Sequence, residues 1–175
     1  DSSNTAALGY AHQSGIKHEI GLIRNHYVGR TFITPGQDIR SAKVRLKFNP
    51  VRGVLKGKRV VVVEDSIVRG TTLKHLVRML REAGARQVHV RISCPPIVGA
   101  CYYGIDFQTE KELIANGKTV EFIREQIGVD SLGYLSLEGM LSVAPNATHQ
   151  YCTACFTQDY PIQIENEVSK LILER

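Results

Sequence analysis

The strongest constraint on the fold of this chain is the stretch VVVVEDSIVRGTT at residues 60–72. Its four consecutive valines are typical of a strand that is covered on both faces. The stretch is followed by apolar residues at the spacing of one helical face: Leu73, Leu76, Val77 and Leu80. Residues 87–92 alternate between polar and apolar and predict a second strand. Strand, loop, helix and strand in this order predict an α/β fold with a parallel sheet and flanking helices.

Other segments give weaker signals. Residues 3–15 predict a helix opened by a capping residue, and residues 18–24 predict a buried strand. Residues 27–49 lack periodicity and are rich in arginine and lysine, which is more typical of a functional lid than of a connecting loop. Four further helices are predicted, at residues 109–116, 119–127, 136–143 and 162–173. We therefore divide the chain into a main domain, 1–145, and a cysteine-containing segment with a helical end, 146–175.

Composition excludes several classes of protein. The 175 residues are 43% hydrophobic and 22% charged, which is enough apolar material for a core, and no apolar run is long enough to span a membrane. The net charge is +5, but the basic residues are dispersed and no aromatic residues interleave with them as a base-stacking surface would need. A small polyanionic ligand therefore fits better than nucleic acid. The four cysteines are too few for a secreted disulfide scaffold, so we expect a cytoplasmic protein.

The loop between the valine strand and the following helix has the features of a phosphate site. Ligands of open α/β sheets bind at the carboxyl ends of strands, and here that end meets a helix N-terminus. The backbone N–H groups of residues 66–72 can surround a phosphate, and Gly70 allows close approach. The preceding Glu64 and Asp65 would repel a phosphate unless ribose hydroxyls or Mg²⁺ lie between them.

Simpler interpretations of the same residues exist. An acidic pair after a strand often does no more than complement a helix dipole, and Gly-Thr-Thr alone is only a turn. The stretch is neither a Walker loop nor a GxGxxG dinucleotide motif. The combination of a β-branched strand, two acids, a short loop and an amphipathic helix favours a sugar-phosphate site.

The same residues carry a family resemblance. VVVVEDSIVRGTT resembles the phosphoribosylpyrophosphate-binding signature of type I phosphoribosyltransferases. Four flanking segments resemble the glutamine phosphoribosylpyrophosphate amidotransferase family: YVGRTFITPGQ at 27–37, VRLKFNPVRG at 44–53, MLREAGA at 79–85 and YGIDF at 103–107. Enzymes of that family open de novo purine synthesis.

The resemblance implies a set of site residues. Glu64 and Asp65 would hold the ribose hydroxyls and Mg²⁺, although the family usually has two aspartates there, and Ser2 would be a ligand on the metal side. In the expected lid, Arg30 and Lys47 would act on the pyrophosphate, unless they are ordinary solvated charges. The catalytic set is thus Arg30, Lys47 and Asp65. The residues implied to bind the 5-phosphate are Ser66, Ile67, Val68, Arg69, Gly70, Thr71 and Thr72.

The implied reaction is the attack of ammonia on C1 of the ribose as pyrophosphate leaves, which gives 5-phosphoribosylamine. Ammonia needs no strong general base, so positioning and charge stabilisation by Mg²⁺ and basic groups would suffice. The implied partners are phosphoribosylpyrophosphate, ammonia from a glutaminase domain, purine nucleotides as feedback inhibitors, and further copies in a homo-oligomer.

The cysteines raise a separate possibility. Cys152 and Cys155 form a C-x-x-C pair, which suits a metal or cluster but equally a disulfide or two bystanders. By resemblance, YCTACFTQDYP is a segment that binds a 4Fe–4S cluster, Cys101 is a third ligand, and the fourth lies upstream in the family. We therefore expect an incomplete or absent cluster in this chain. Cys94 fits a buried strand end better, with a Zn²⁺ site as the alternative.

The first residue is Asp1, and by the resemblance we expect the family's N-terminal glutaminase domain and the first part of its transferase domain to be absent. We expect an N-terminally truncated module that hydrolyses no glutamine and catalyses at best weak ammonia-dependent transfer. The alternatives are a non-catalytic binding or sensor module and, less favoured, a salvage phosphoribosyltransferase. The salvage interpretation leaves the cysteine segment and the YVGRTF stretch without a role.

Overall fold

The computed structural model describes residues 2–27, 48–105, 109–144 and 151–162. In chain order the described elements are α1 (Ser3–Ser14), β1 (Leu22–Arg24), β2 (Phe48–Pro50), α2 (Arg52–Leu55), β3 (Arg59–Glu64), α3 (Thr71–Glu82), β4 (Gln87–Ile92), a 3₁₀ turn (Glu110–Glu112), α4 (Val120–Ile127), β5 (Ser131–Tyr134), α5 (Leu137–Leu141) and α6 (Ala154–Thr157).

The described part is organised around a parallel sheet in the order β3-β4-β5. The register pairs Glu64 with Ile92 and Ile92 with Tyr134, so the carboxyl ends of the three strands lie at one edge. A second pair, β1 and β2, is antiparallel. The predicted α/β fold with a parallel sheet and flanking helices is confirmed.

The core forms where α3 and α4 pack on one face of this sheet. β4 alternates buried and half-buried residues, and its buried set is Val88, Val90 and Ile92. The predicted stripe of α3 is buried as expected, and α4 adds Ile123 and Ile127 to the same cluster. A period of two on the strand and of 3.6 on the helices thus directs apolar side chains to a common interior.

Several local predictions were wrong or incomplete. Of the buried strand predicted at 18–24, only Leu22–Arg24 forms a strand, and Ile20 is 65% exposed. The helix predicted at 109–116 reduces to a single 3₁₀ turn, while α4 and α5 confirm shorter versions of the next two. β5 was not predicted, because SLGY is short and contains a glycine. The segment 163–175, with most of the last predicted helix, lies outside the described residues.

The first helix packs beside β3 without burying any of its residues. The N-cap position is Ser2, one residue before the predicted segment, and its side chain makes no capping hydrogen bond. Its hydroxyl instead donates to a carboxylate at the end of β3, which brings the start of the chain to the edge where the strands end.

Within the described ranges, no helix combines the length and the apolar character that crossing a membrane requires.

Candidate functional site

The loop of residues 65–70 joins the carboxyl end of β3 to the N-terminus of α3. Gly70 occupies the N-cap position with φ of 73°, a left-handed conformation that favours glycine, and no side chain caps the helix. The backbone N–H groups of residues 66–72 donate no hydrogen bond to any described residue. This run of uncommitted donors at a helix N-terminus is suited to an anion.

Two carboxylates precede these donors. Both oxygens of Asp65 accept hydrogen bonds from serine hydroxyls, Oδ2 from Ser2 and Oδ1 from Ser66 at 3.0 Å. Glu64 Oε1 accepts from the Ser3 hydroxyl at 3.3 Å and from the Asp65 N–H at 3.2 Å. Glu64 and Asp65 therefore accept hydrogen bonds from hydroxyl groups, and they lie next to the loop whose N–H groups are suited to an anion.

The Glu64 carboxyl is half-buried, and this sets its electrostatics. Burial is the main cause that raises the pKa of Glu64, and the nearby charge of Asp65 raises it further. The hydrogen bonds from the Asp65 N–H and from Ser3 act in the opposite direction. A cation placed beside the two carboxylates would favour the ionised form of Glu64.

The end of β3 is also held from the neighbouring strand. Ser93, just after β4, donates to the Glu64 carbonyl oxygen from its N–H at 3.0 Å and from its hydroxyl at 3.3 Å. This fixes the point at which the chain leaves the sheet and enters the loop.

The segment 110–116 packs against this loop, and we call it the strap. The Ile114 N–H donates to the Val68 carbonyl at 2.8 Å, and Arg69 Nη2 lies 2.8 Å from Glu112 Oε2. A Cβ added to Gly70 would come within 2.8 Å of Ile114 Cδ1. Three consecutive loop residues thus contact the strap.

Two other titratable groups lie near this edge of the sheet. Burial raises the pKa of the Cys94 thiol to about 12, with the charges of Asp65 and Cys155 adding to the effect. Burial likewise raises the pKa of Tyr134 to about 12, and its hydroxyl oxygen is buried without a hydrogen-bond partner among the described residues. Neither group is ionised at neutral pH, so neither is an activated nucleophile here.

The cysteines form no metal site in the part of the chain that the structure describes. All four are free thiols. Cys101 and Cys155 are half-buried beside Ile97 and Leu113, whereas Cys152 is exposed. Among described residues no group of three His, Cys, Asp or Glu side chains is placed to hold a metal ion. Because a 4Fe–4S cluster requires four ligands, the residues described do not make up a cluster site.

The structure brings together most of the predicted site. Ser2, Glu64, Asp65 and the loop 66–72 converge at one edge, whereas Arg30 and Lys47 lie outside the described residues. Sequence reasoning missed Ser3, Ser93 and the strap. Each is far along the chain from the loop, and no local pattern in the sequence marks these contacts.

A parallel α/β sheet whose first strand is followed by an acidic pair and by a loop of uncommitted backbone N–H groups agrees with the predicted phosphoribosyltransferase class. The phosphoribosyl transferase domain family matches residues 12–107, more than half of the chain, and the chain belongs to that family.

More specific relatives cover almost the whole chain. It is 57% identical over 166 residues to the chloroplastic amidophosphoribosyltransferase of Vigna aconitifolia, covering 95% of this chain and 34% of that protein. It is 56% identical over 167 residues to amidophosphoribosyltransferase of Methanocaldococcus jannaschii, covering 95% and 35%. The chain therefore spans about a third of the length of these curated relatives.

A solved structure gives the same result. Glutamine phosphoribosylpyrophosphate amidotransferase from B. subtilis, complexed with ADP and GMP, superposes with a TM-score of 0.80 at 53% identity. The match covers 96% of this chain and 38% of that chain. The resemblance inferred from the sequence motifs, including the type I phosphoribosyltransferase fold, is confirmed.

Proposed function

We propose that this chain is the phosphoribosyltransferase part of an amidophosphoribosyltransferase. It binds 5-phosphoribosyl-1-pyrophosphate with Mg²⁺ and transfers ammonia to C1, giving 5-phosphoribosylamine and pyrophosphate in the first step of de novo purine synthesis. The observation that carries the proposal is the loop at residues 66–72, whose N–H groups are uncommitted and which directly follows the acidic pair.

The 5-phosphate binds in this loop. Backbone N–H groups and the positive end of the α3 dipole stabilise the dianion. The hydroxyls of Thr71 and Thr72 lie at the first turn and supply further donors. Gly70 allows the backbone to turn closely around the ligand.

The ribose hydroxyls and Mg²⁺ bind at Glu64 and Asp65. The serine hydroxyls on both Asp65 oxygens support this role, because a sugar diol presents the same kind of donor. Carboxylate and hydroxyl oxygens from Ser2, Glu64 and Asp65 suit a hard cation that keeps several waters and takes phosphate oxygens as further ligands. Bound Mg²⁺ would offset the charge that develops on the departing pyrophosphate.

The reaction forms a C1–N bond and breaks the C1–O bond to pyrophosphate, and the attacking ammonia loses one proton. Asp65 positions the ribose so that C1 faces the ammonia. Arg30 and Lys47, which lie outside the described residues, are proposed to act on the pyrophosphate. No activated nucleophile is required, in agreement with the protonated states of Cys94 and Tyr134.

We extend the proposal to a longer protein of the length of the relatives, of which this chain would be one part. A glutaminase domain supplies the ammonia, and the assembly is a homo-oligomer. Purine nucleotides bind as regulators, which is supported by the B. subtilis relative that was solved with ADP and GMP. The cytoplasm remains the expected compartment, although the name of the Vigna relative places that protein in the chloroplast.

The segment 146–175 is proposed as an appendage of the main domain that contributes cluster ligands. Its described part is joined to the loop after β4, since the N–H groups of Val98 and Gly99 both donate to the Cys155 carbonyl at 2.9 Å. Tyr160 donates its hydroxyl to the Ala100 carbonyl at 2.7 Å. Cys101, Cys152 and Cys155 would bind a 4Fe–4S cluster only in a longer protein that supplies the fourth thiolate. Iron and sulfide analysis showing a full cluster on these 175 residues would overturn this assignment.

The test is pyrophosphate release from phosphoribosylpyrophosphate, Mg²⁺ and ammonia, with binding measured in parallel by calorimetry. Release that depends on ammonia supports the proposed reaction. Binding without release assigns the chain as a sensor or binding module instead. Failure to bind contradicts both.

A further inference from the structure

Arg69 is the single charged side chain between Ser66 and Thr72. A guanidinium in a phosphate loop is expected to face the phosphate, because Arg binds such groups in a bidentate manner. In this structure it instead pairs with Glu112 of the strap, with Arg69 Nη2 2.8 Å from Glu112 Oε2. Each of the two side chains is 37% exposed.

The pair is part of a larger contact. The Val68 carbonyl accepts from the Ile114 N–H, and Ile114 Cδ1 occupies the space next to Gly70. Val68 and Gly70, on either side of Arg69, thus both contact Ile114, which lies two positions beyond Glu112. The pairing of Arg69 with Glu112 therefore follows from the way in which the whole loop lies against the strap.

The strap is itself anchored to the rest of the domain. Asn116 Nδ2 donates to the Val98 carbonyl at 2.7 Å, and Leu113 is buried beside Ile97. Glu110 accepts from Gln158 Nε2 at 3.2 Å. The conformation of the loop is consequently supported by the anchored strap as well as by the turn of the loop itself.

We propose that Glu112 is a positioning residue for the phosphate loop and that the Arg69 side chain is no ligand of the phosphate. This inference rests on the proposed function, since it concerns the 5-phosphate end of that site. Glu112 holds the guanidinium against the strap and neutralises it. The phosphate is then bound by backbone N–H groups and the helix N-terminus, whose geometry the strap fixes.

The experiment is a double-mutant cycle on the 175-residue chain with Glu112→Gln, Arg69→Gln and both together. Dissociation constants are measured by calorimetry for ribose 5-phosphate and, separately, for Mg²⁺-pyrophosphate, which lacks the 5-phosphate. The matched control is Glu121→Gln, which removes another surface ion pair, the one that Glu121 makes with Arg124 at 2.6 Å.

If Arg69 acts through Glu112, each single variant weakens ribose 5-phosphate binding by about two- to fivefold, the size expected of a partly exposed pair. The double variant is then no weaker than the single ones, because the interaction is lost only once. Pyrophosphate binding and the Glu121→Gln control stay unchanged. Glu112→Asp, which keeps the charge, recovers part of the affinity.

Three results would overturn the inference. A loss of about tenfold or more in Arg69→Gln, with Glu112→Gln unchanged or tighter, would make Arg69 a direct phosphate ligand. Equal losses for both ligands would mean general disruption of the fold. Variants identical to the parent would mean that the pair has no role. A parent chain that binds neither ribose 5-phosphate nor phosphoribosylpyrophosphate contradicts the proposed function itself and removes the inference with it.

Discussion

At the scale of one residue, Glu64 is the group whose surroundings bear most on both folding and the proposed binding. Its carboxyl is half-buried beside a second carboxylate, and burial is the main reason why its pKa is raised. A charge kept in such a place disfavours the folded state, and the hydrogen bonds from Ser3 and from the Asp65 N–H offset this only in part, since the pKa of Glu64 remains raised. We therefore expect the charge of Glu64 to lower the free energy of unfolding of the ligand-free protein, and to strengthen binding when ligand and cation are present.

The first prediction concerns Glu64→Gln. Because the folded pKa lies above the value of 4.5 for an unperturbed glutamate, the folded state holds the proton more tightly than the unfolded state. The contribution of Glu64 to the free energy of unfolding therefore rises as the pH falls through the folded pKa, and is complete below 4.5. At pH 7 Glu64→Gln should unfold at higher denaturant than the parent, yet bind Mg²⁺-phosphoribosylpyrophosphate more weakly.

Urea unfolding between pH 4 and pH 8 checks this prediction. Asp130 contributes with the opposite sign, since the hydrogen bond from the Val88 N–H is the main cause that lowers its pKa. That contribution is the same in parent and variant, so the difference between their two pH curves isolates Glu64. A variant less stable than the parent at pH 7 would show that the carboxylate is already compensated in the free protein.

The element that matters most is the turn from β3 into α3, and the sequence predicted it well. The helix stripe was predictable because its apolar residues recur with the period of a helix. Strand β4 was predictable because its polar and apolar residues alternate, as its burial does in the structure. The loop N–H groups follow from the position of the loop before a helix. Local patterns of this kind need no knowledge of distant residues.

The strap could not be predicted in the same way. Residues 109–116 carry a helical pattern, but the chain forms one 3₁₀ turn and then directs the Ile114 N–H to Val68. Contacts between residues more than forty positions apart determine this conformation. The serines around Glu64 and Asp65 were predictable only in part. Ser2 entered through the family resemblance, whereas Ser3, which donates to the Glu64 carboxylate, and Ser93, which donates to the Glu64 carbonyl, were not predicted.

The second prediction tests the contact between turn and strap with Gly70→Ala. Alanine at a φ of 73° costs about 1–2 kcal/mol, and its Cβ must also displace Ile114 Cδ1. Gly57→Ala is a matched control, because Gly57 has a φ of 72° and no atom within 4 Å of the added Cβ. Chemical denaturation should show a larger loss of stability for Gly70→Ala than for Gly57→Ala.

Ile114→Val completes this comparison, since valine lacks the Cδ1 atom. In the Ile114→Val background the excess loss of Gly70→Ala over Gly57→Ala should shrink. An unchanged excess would mean that the turn does not depend on the strap.

At the scale of the whole molecule, the described residues of the proposed site lie along the edge where the three parallel strands end. Glu64 ends β3, Ser93 follows β4, and α1 brings Ser2 and Ser3 to the same place. The family assignment agrees with this arrangement, and the relatives are about three times as long as this chain. The described residues are therefore those proposed to hold the phosphoribosyl group, while the source of ammonia belongs to the proposed longer protein.

The third prediction is a consequence of binding for the entire fold. A ligand that binds only the folded state at a hundred times its dissociation constant adds about 2.7 kcal/mol to the free energy of unfolding. Mg²⁺-phosphoribosylpyrophosphate should therefore raise the thermal midpoint of the chain, as measured by calorimetric scanning. Mg²⁺ with ribose, which lacks both the 5-phosphate and the pyrophosphate, should leave the midpoint unchanged, and an equal shift with ribose would argue against a phosphate site.

The most direct test of the central claim is titration calorimetry of Mg²⁺-phosphoribosylpyrophosphate into the parent chain and into Asp65→Asn. Asp65 accepts two serine hydroxyls at the proposed ribose position, so removal of its charge should weaken binding by about tenfold or more. Asp159→Asn, at an exposed position in the cysteine segment, should bind like the parent. If Asp65→Asn binds as tightly as the parent, the acidic pair does not hold the ribose and the proposed site is wrong.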